Sequence, residues 1–217
     1  MKPDYFKNIF AKVRERCAIS QHRIVFFEKY LKKTLFLQPF PKSSMDKTLE
    51  FRIEANRKEY ERLLKDDDYT DVRFNPKNGA LSAIHKKHHF DPTIGKFGIP
   101  RGDYEKISLN VLYDSGMNVI LNSENPIYQV KIAEGMLNGI KFDIKGIEGT
   151  GKRNIIDKIS DAAQKEAEIV VLYYHDAGIF DLQKIINAYK GYLNLSKTKR
   201  VNTVYYIVNN KLNKIEL

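Results

Sequence analysis

The segment Ile140-Lys141-Phe142-Asp143-Ile144-Lys145-Gly146 places an acid and an amine two residues apart. Side chains alternate along a strand, so Ile140, Phe142 and Ile144 are expected to enter a core while Lys141, Asp143 and Lys145 share an open face. A carboxylate and an ammonium side by side can hold a divalent cation on Asp143 and set Lys145 next to an attacking water or a phosphate. Glu134, in Ala133-Glu134-Gly135, is expected at the end of a neighbouring strand. Two acids and a lysine on adjacent strands suit hydrolysis of a phosphodiester. Glu134 and Asp143 are the expected metal ligands, with Mg2+ favoured and Mn2+ or Zn2+ as alternatives.

A second concentration of chemistry is His85-Lys86-Lys87-His88-His89, which holds three of the five histidines. Imidazole titrates near neutrality, so His85 or His88 could act as acid and base on a ribose 2′-hydroxyl. Phosphate binding, a zinc site and an exposed basic loop are the other readings. Lys86, Lys87, Lys131, Lys152 and Arg153 are the candidate nucleic-acid contacts. Gly146 to Arg153 approaches a Walker loop, but Arg153 stands where the magnesium-binding hydroxyl belongs. His175 follows an apolar strand, where sites of α/β folds open.

The elements that must position these residues follow from periodicity. Residues 4–37 read as helical, and Pro39 and Pro41 end that segment. Ser43 to Asp46 reads as a loop, and 47–65 as a charged helix. Thr70–Phe74 and Ala80–His85 form an expected hairpin. A helix over Asp103–Ser115 stops at Gly116. Strands are expected over Met117–Asn122, Ile127–Ala133 and Ile140–Lys145, the last after the turn Asn138-Gly139. A helix over 153–167 then leads to Glu168–Tyr174, apolar throughout and so central in a sheet. A helix capped by Asp181 and a hairpin through Asn209-Asn210 close the chain. The expected fold is α/β (α+β): a basic helical region over 1–70, a hairpin and His-rich loop over 71–102, and an αβββαβ core with an extra helix and C-terminal hairpin over 103–217.

The 217 residues carry a formal net charge of +10, and residues 1–47 alone hold 11 Lys/Arg against 4 Asp/Glu. This balance favours polyanionic partners, nucleic acid first. No run of about 18 apolar residues exists, so no membrane insertion is expected. Cys17 is the only cysteine, which excludes an intrachain disulfide and a cysteine-based zinc cluster. A reducing cytoplasm is expected, reached by synthesis or by delivery into a target cell.

With Glu134 at the first acidic position and Asp143-Ile144-Lys145 after it, the helix–strand–strand–strand–helix–strand order resembles the PD-(D/E)xK, restriction-endonuclease-like nucleases. That superfamily usually has Asp at the first position; here it is Glu after Ala. The resemblance implies a metal-dependent endonuclease and often a further helical acid, for which Glu105 is the candidate and Glu124 its competitor. Residues 103–217 are also similar to C-terminal tRNA-nuclease toxin domains of contact-dependent inhibition proteins and to phage and mobile-element nuclease domains. That similarity implies RNA, particularly tRNA, as substrate and an acidic immunity protein as partner. Two alternatives stand beside it: a metal-independent RNase of the barnase, EndoU or colicin type using His85 or His88, and a nucleic-acid-binding module without catalysis.

Overall fold

The computed structural model describes residues 42–123, 132–196 and 200–217, with side chains from Thr48 onward. The helix expected over 4–37, the residues 127–131 of the expected strand, Glu124 and Lys131 lie outside the described residues. The segment Leu49–Leu217 forms one compact unit. In chain order the elements are α1 (Lys42–Leu64), β1 (Tyr69–Phe74), β2 (Leu81–His85), α2 (Arg101–Asp114), β3 (Asn118–Leu121), β4 (Gly135–Leu137), β5 (Ile140–Ile147), α3 (Lys152–Gln164), β6 (Ile169–Tyr174), α4 (Leu182–Leu195), β7 (Thr203–Val208) and β8 (Lys211–Lys214). Ser43 to Asp46, expected as a loop, are the first turns of α1.

All eight strands join one mixed sheet in sequential order. β2 runs parallel to β3, and β5, β6 and β7 run parallel to one another; the other neighbours are antiparallel. The 71–102 hairpin thus belongs to the same sheet as the αβββαβ core and forms its first two strands. Every residue of β6 is buried, as its Ile-Val-Val-Leu-Tyr-Tyr sequence demands of a strand covered on both faces. The crossovers β5-α3-β6 and β6-α4-β7 step the same way across the sheet, so their common handedness puts α3 and α4 on one face.

Two cores result. Ile155, Ile156, Ile159 and Ala162 of α3 and Ile185, Ala188, Tyr189 and Tyr192 of α4 pack on Val170, Leu172 and Val204. On the opposite face Tyr104, Leu109 and Leu112 of α2 pack on Val119, Phe142, Ile144 and Val171. Gly116, at φ +85°, ends α2 as expected, and the positive φ of Asn138 and Gly139 gives the two-residue turn that pairs β4 with β5. Asn209 and Asn210 do the same for β7 and β8, and Asp181 caps α4 by accepting the Lys184 amide.

Candidate active site

The site sits where the sheet forks. β4 has three residues and pairs with β5 only over Ile140–Phe142. From Asp143 onward β5 pairs with β6 alone among the described residues. β3 ends at Leu121, so among the described residues no strand lies between the far ends of β3 and β5. Glu134 stands at the root of this fork: its carbonyl accepts the Asn122 amide at 2.8 Å. Glu134 therefore precedes β4, and neither Ile132 nor Ala133 is in a strand, so the reading of Glu134 as directly following the end of a strand Ile127–Ala133 is corrected. Gly135 is required next to it, because a Cβ there would lie 2.0 Å from the Ile120 carbonyl oxygen.

The Asp143 face is covered by α3 and is not open. Asp143 is fully buried and Lys145 only 8% exposed, whereas Ile140, expected in the core, is 42% exposed. The reason lies in α3, whose polar side chains at 158, 161 and 165 follow helical spacing beside its apolar stripe. Lys145 Nζ lies 2.7 Å from Asp143 Oδ2 and 2.6 Å from Asp161 Oδ2. Lys165 Nζ lies 3.1 Å from Glu134 Oε1 and 3.3 Å from Asp143 Oδ1. The two carboxylates expected to share a metal thus share an ammonium. Burial alone would lower the Lys165 pKa, but the charges of Asp143 and Glu134 outweigh it and hold it above the ordinary lysine value.

Glu134 also belongs to a second group. His88 Nδ1 lies 2.9 Å from the Asn122 carbonyl oxygen, which can only accept, so Nδ1 carries the proton of that bond. Nε2 then faces Glu105 Oε2 at 3.3 Å. A lone pair and a carboxylate at that distance require a proton or a cation between them. One ligand atom from each of His88, Glu105 and Glu134 falls within 4.8 Å of the others. Glu134 Oε2 is buried and accepts no hydrogen bond among the described residues, although the protonated carboxyl is within reach to donate to Asp143. Burial first, then the charges of Asp143 and Glu105, push the Glu134 carboxyl well above the usual carboxylate range. A divalent cation suits this arrangement: it satisfies an orphaned buried oxygen, offsets the acid repulsion and takes the imidazole nitrogen as a further ligand.

A cleft of about 390 Å³ opens on Glu105 and Glu134, with Lys145, Lys158, Lys165 and Arg101 on its walls. Tyr104 packs against the backbone of Gly146, where a Cβ would lie 2.3 Å from its Cδ2. Glu148 ties down the turn before α2: Oε1 accepts the Lys96 amide and the Tyr104 hydroxyl, and Oε2 lies 3.3 Å from Arg101. Burial opposes its ionisation, but those three donors hold its pKa below the usual value. Burial and the Glu148 hydrogen bond push the Tyr104 hydroxyl up to about 12.

Of the expected residues, the fold brings together Glu134, Asp143, Lys145, Glu105 and His88. His85 is turned away: its Nδ1 accepts the Lys87 amide at 3.1 Å and its ring meets Tyr69. Neither His85 nor the buried His88 ring lines the cleft, whereas His89 does. Lys86, Lys87, Lys152 and Arg153 are exposed and off the cleft lining, and Arg153 pairs with Asp157. Gly146 serves close packing by Tyr104, whereas a Cβ on Gly151 would meet nothing within 4 Å. Missed were Lys165, Asp161, Lys158, Arg101 and Glu148; the 158/161/165 spacing on α3 was the available signal for three of them.

No family model matches this chain, and no curated protein or solved structure matches it. No helix among the described residues is long and apolar enough to cross a membrane.

Proposed function

We propose that this protein is a metal-dependent nuclease that hydrolyses phosphodiester bonds in the forked-sheet cleft. The observation that carries the reading is Glu134, buried with an unbonded oxygen between the His88–Glu105 pair on one side and Asp143 on the other. His88, Glu105 and Glu134 would hold a divalent cation, with Asp143 adjacent; mixed nitrogen and oxygen donors suit Mn2+ or Zn2+ as well as Mg2+. When bound, such an ion supplies Lewis-acid polarisation of the phosphate and an acidified water. The chain supplies the rest. Lys145, fixed between Asp143 and Asp161, donates to a phosphate oxygen and offsets the charge that develops there. Asn122, through its carbonyl, holds the His88 ring in the tautomer whose Nε2 is a ligand. RNA is the first substrate to try, and an acidic immunity protein the first partner, on the resemblance to toxin domains.

The test is cleavage of tRNA and of duplex DNA with Mg2+, Mn2+, Zn2+ or EDTA, comparing wild type with Asp143→Asn and Lys145→Ala. Metal-dependent cleavage that falls by at least about a hundredfold in both variants is expected. Full activity in EDTA with a cyclic-phosphate product would transfer the assignment to a histidine mechanism. Salt-sensitive binding with no cleavage under any metal would leave a binding module.

A further inference from the structure

Four cationic side chains line the cleft, and three have carboxylate partners. Arg101 meets Glu148, Lys145 meets Asp143 and Asp161, and Lys165 meets Glu134 and Asp143. Lys158 makes no hydrogen bond or ion pair among the described residues, although it is half-buried and lines the same cleft. Burial, then the positive charges of Lys145 and Arg101, lower its pKa, and the opposing charges of Glu148 and Asp161 do not offset them. A half-buried ammonium facing other cations costs stability unless an anion joins it. Methionine at this position would fill similar space without that cost.

The direction of α3 says where the anion belongs. α3 returns antiparallel to β5, so Lys165 stands over Asp143 and Lys158 stands toward the Glu148 end. Seven residues separate the two lysines, about 10 Å of helix rise. Glu105, Glu134 and Asp143 therefore lie toward one end of the cleft, and Lys158 with the Arg101–Glu148 pair toward the other.

Building on the nuclease reading, we propose that Lys158, assisted by Arg101, forms a seat for a second phosphate of the substrate strand, next to the phosphate that reacts. The cleft then selects an internal position on a polynucleotide, because, with the ion in place, a compound with one phosphate fills only the acid end. Lys158 is a binding residue for the neighbouring phosphate and touches no reacting atom.

The test measures binding in EDTA, so that it stands apart from cleavage. The probes are a fluorescein-labelled single-stranded oligonucleotide, followed by anisotropy across a salt series, and an unlabelled dinucleoside monophosphate as competitor. Lys158→Met is expected to weaken oligonucleotide binding about tenfold and to lower the salt-dependence slope by about one, while Lys158→Arg restores both. In EDTA the acid end holds no ion and repels a phosphate, so the dinucleoside monophosphate, drawn to Lys158, is expected to compete several-fold more weakly against Lys158→Met than against wild type. The melting temperature of Lys158→Met is expected to equal or exceed that of wild type, which separates lost binding from lost fold. Unchanged affinity and slope in both Lys158→Met and Lys158→Glu would overturn the seat, as would wild type that binds no oligonucleotide. Retained cleavage with those unchanged values would overturn the seat alone. A weakened Lys158→Met without cleavage in any metal would keep the seat and remove the nuclease reading.

Discussion

Replacing Lys165 with methionine isolates what the buried acids require. Its Nζ is bonded to Glu134 Oε1 and Asp143 Oδ1, and both acids are almost wholly buried. Removing one partner from a buried ion pair costs about 3–5 kcal/mol. Lys145 still faces Asp143, and Glu134 can take up a proton, so the lower end applies, about 3 kcal/mol. For a compact unit of this size that is roughly 6–12 °C in melting temperature. The pH dependence follows from Glu134. Its carboxyl is raised in the fold, so the fold gains by holding a proton there and loses that gain as pH rises from the ordinary carboxylate value through the raised one. The raised Lys165 contributes stability below the ordinary lysine value and loses it only above that. The deficit of Lys165→Met is therefore small near pH 5 and grows toward pH 8. A divalent cation at a hundred times its Kd adds about 2.7 kcal/mol and should recover most of the loss. Scanning calorimetry at pH 5 and pH 8, with and without Mn2+, reads all of this. A variant that melts like wild type at pH 8, or whose deficit ignores both pH and Mn2+, would refute the reasoning.

Other perturbations follow from the same geometry. Glu134→Gln removes a buried acid from beside two others, so the metal-free protein should melt higher at pH 8 by about 1–2 kcal/mol of stability and lose its Mn2+-dependent gain, both read by calorimetry. Asp161→Asn loosens Lys145 without touching the proposed ion; kcat on an oligonucleotide should fall about tenfold with KM little changed, and an equal rise in KM would contradict a positioning role. Gly146→Ala drives a Cβ into the Tyr104 ring and should cost about 1–3 kcal/mol in urea unfolding, whereas Gly135→Ala, whose Cβ meets a backbone carbonyl, should cost more.

The strand over 140–145 and most of the order of helices and strands were legible because each rests on local periodicity, but Ile140 is exposed and Glu134 precedes β4. What periodicity could not say is what covers a polar face. Asp143 and Lys145 are charged, and charge on a strand reads as solvent. They are buried because Asp161 and Lys165 descend from α3 to meet them, a contact across 16 residues or more of chain. The apolar stripe of α3, Ile155, Ile156, Ile159 and Ala162, announced a core-facing helix and drew attention from the charged residues on its flank. In His85-Lys86-Lys87-His88-His89 the residue types are nearly equivalent; only the Asn122 carbonyl, reached through tertiary structure, distinguishes His88 from its neighbours. Glu105 was readable as an acid on α2, but its approach to Glu134 depends on the fork left by a three-residue β4, which no local pattern marks.

The central proposal is that His88, Glu105 and Glu134 hold one cation, with Asp143 adjacent. Crystals soaked in Mn2+ and measured at an energy where manganese scatters anomalously test it most directly. One strong anomalous peak is expected among the His88 imidazole and the Glu105 and Glu134 carboxylates, lost in Glu134→Gln. A map with no peak there, or with the ion elsewhere and Glu134 still closed on Lys165, would contradict it.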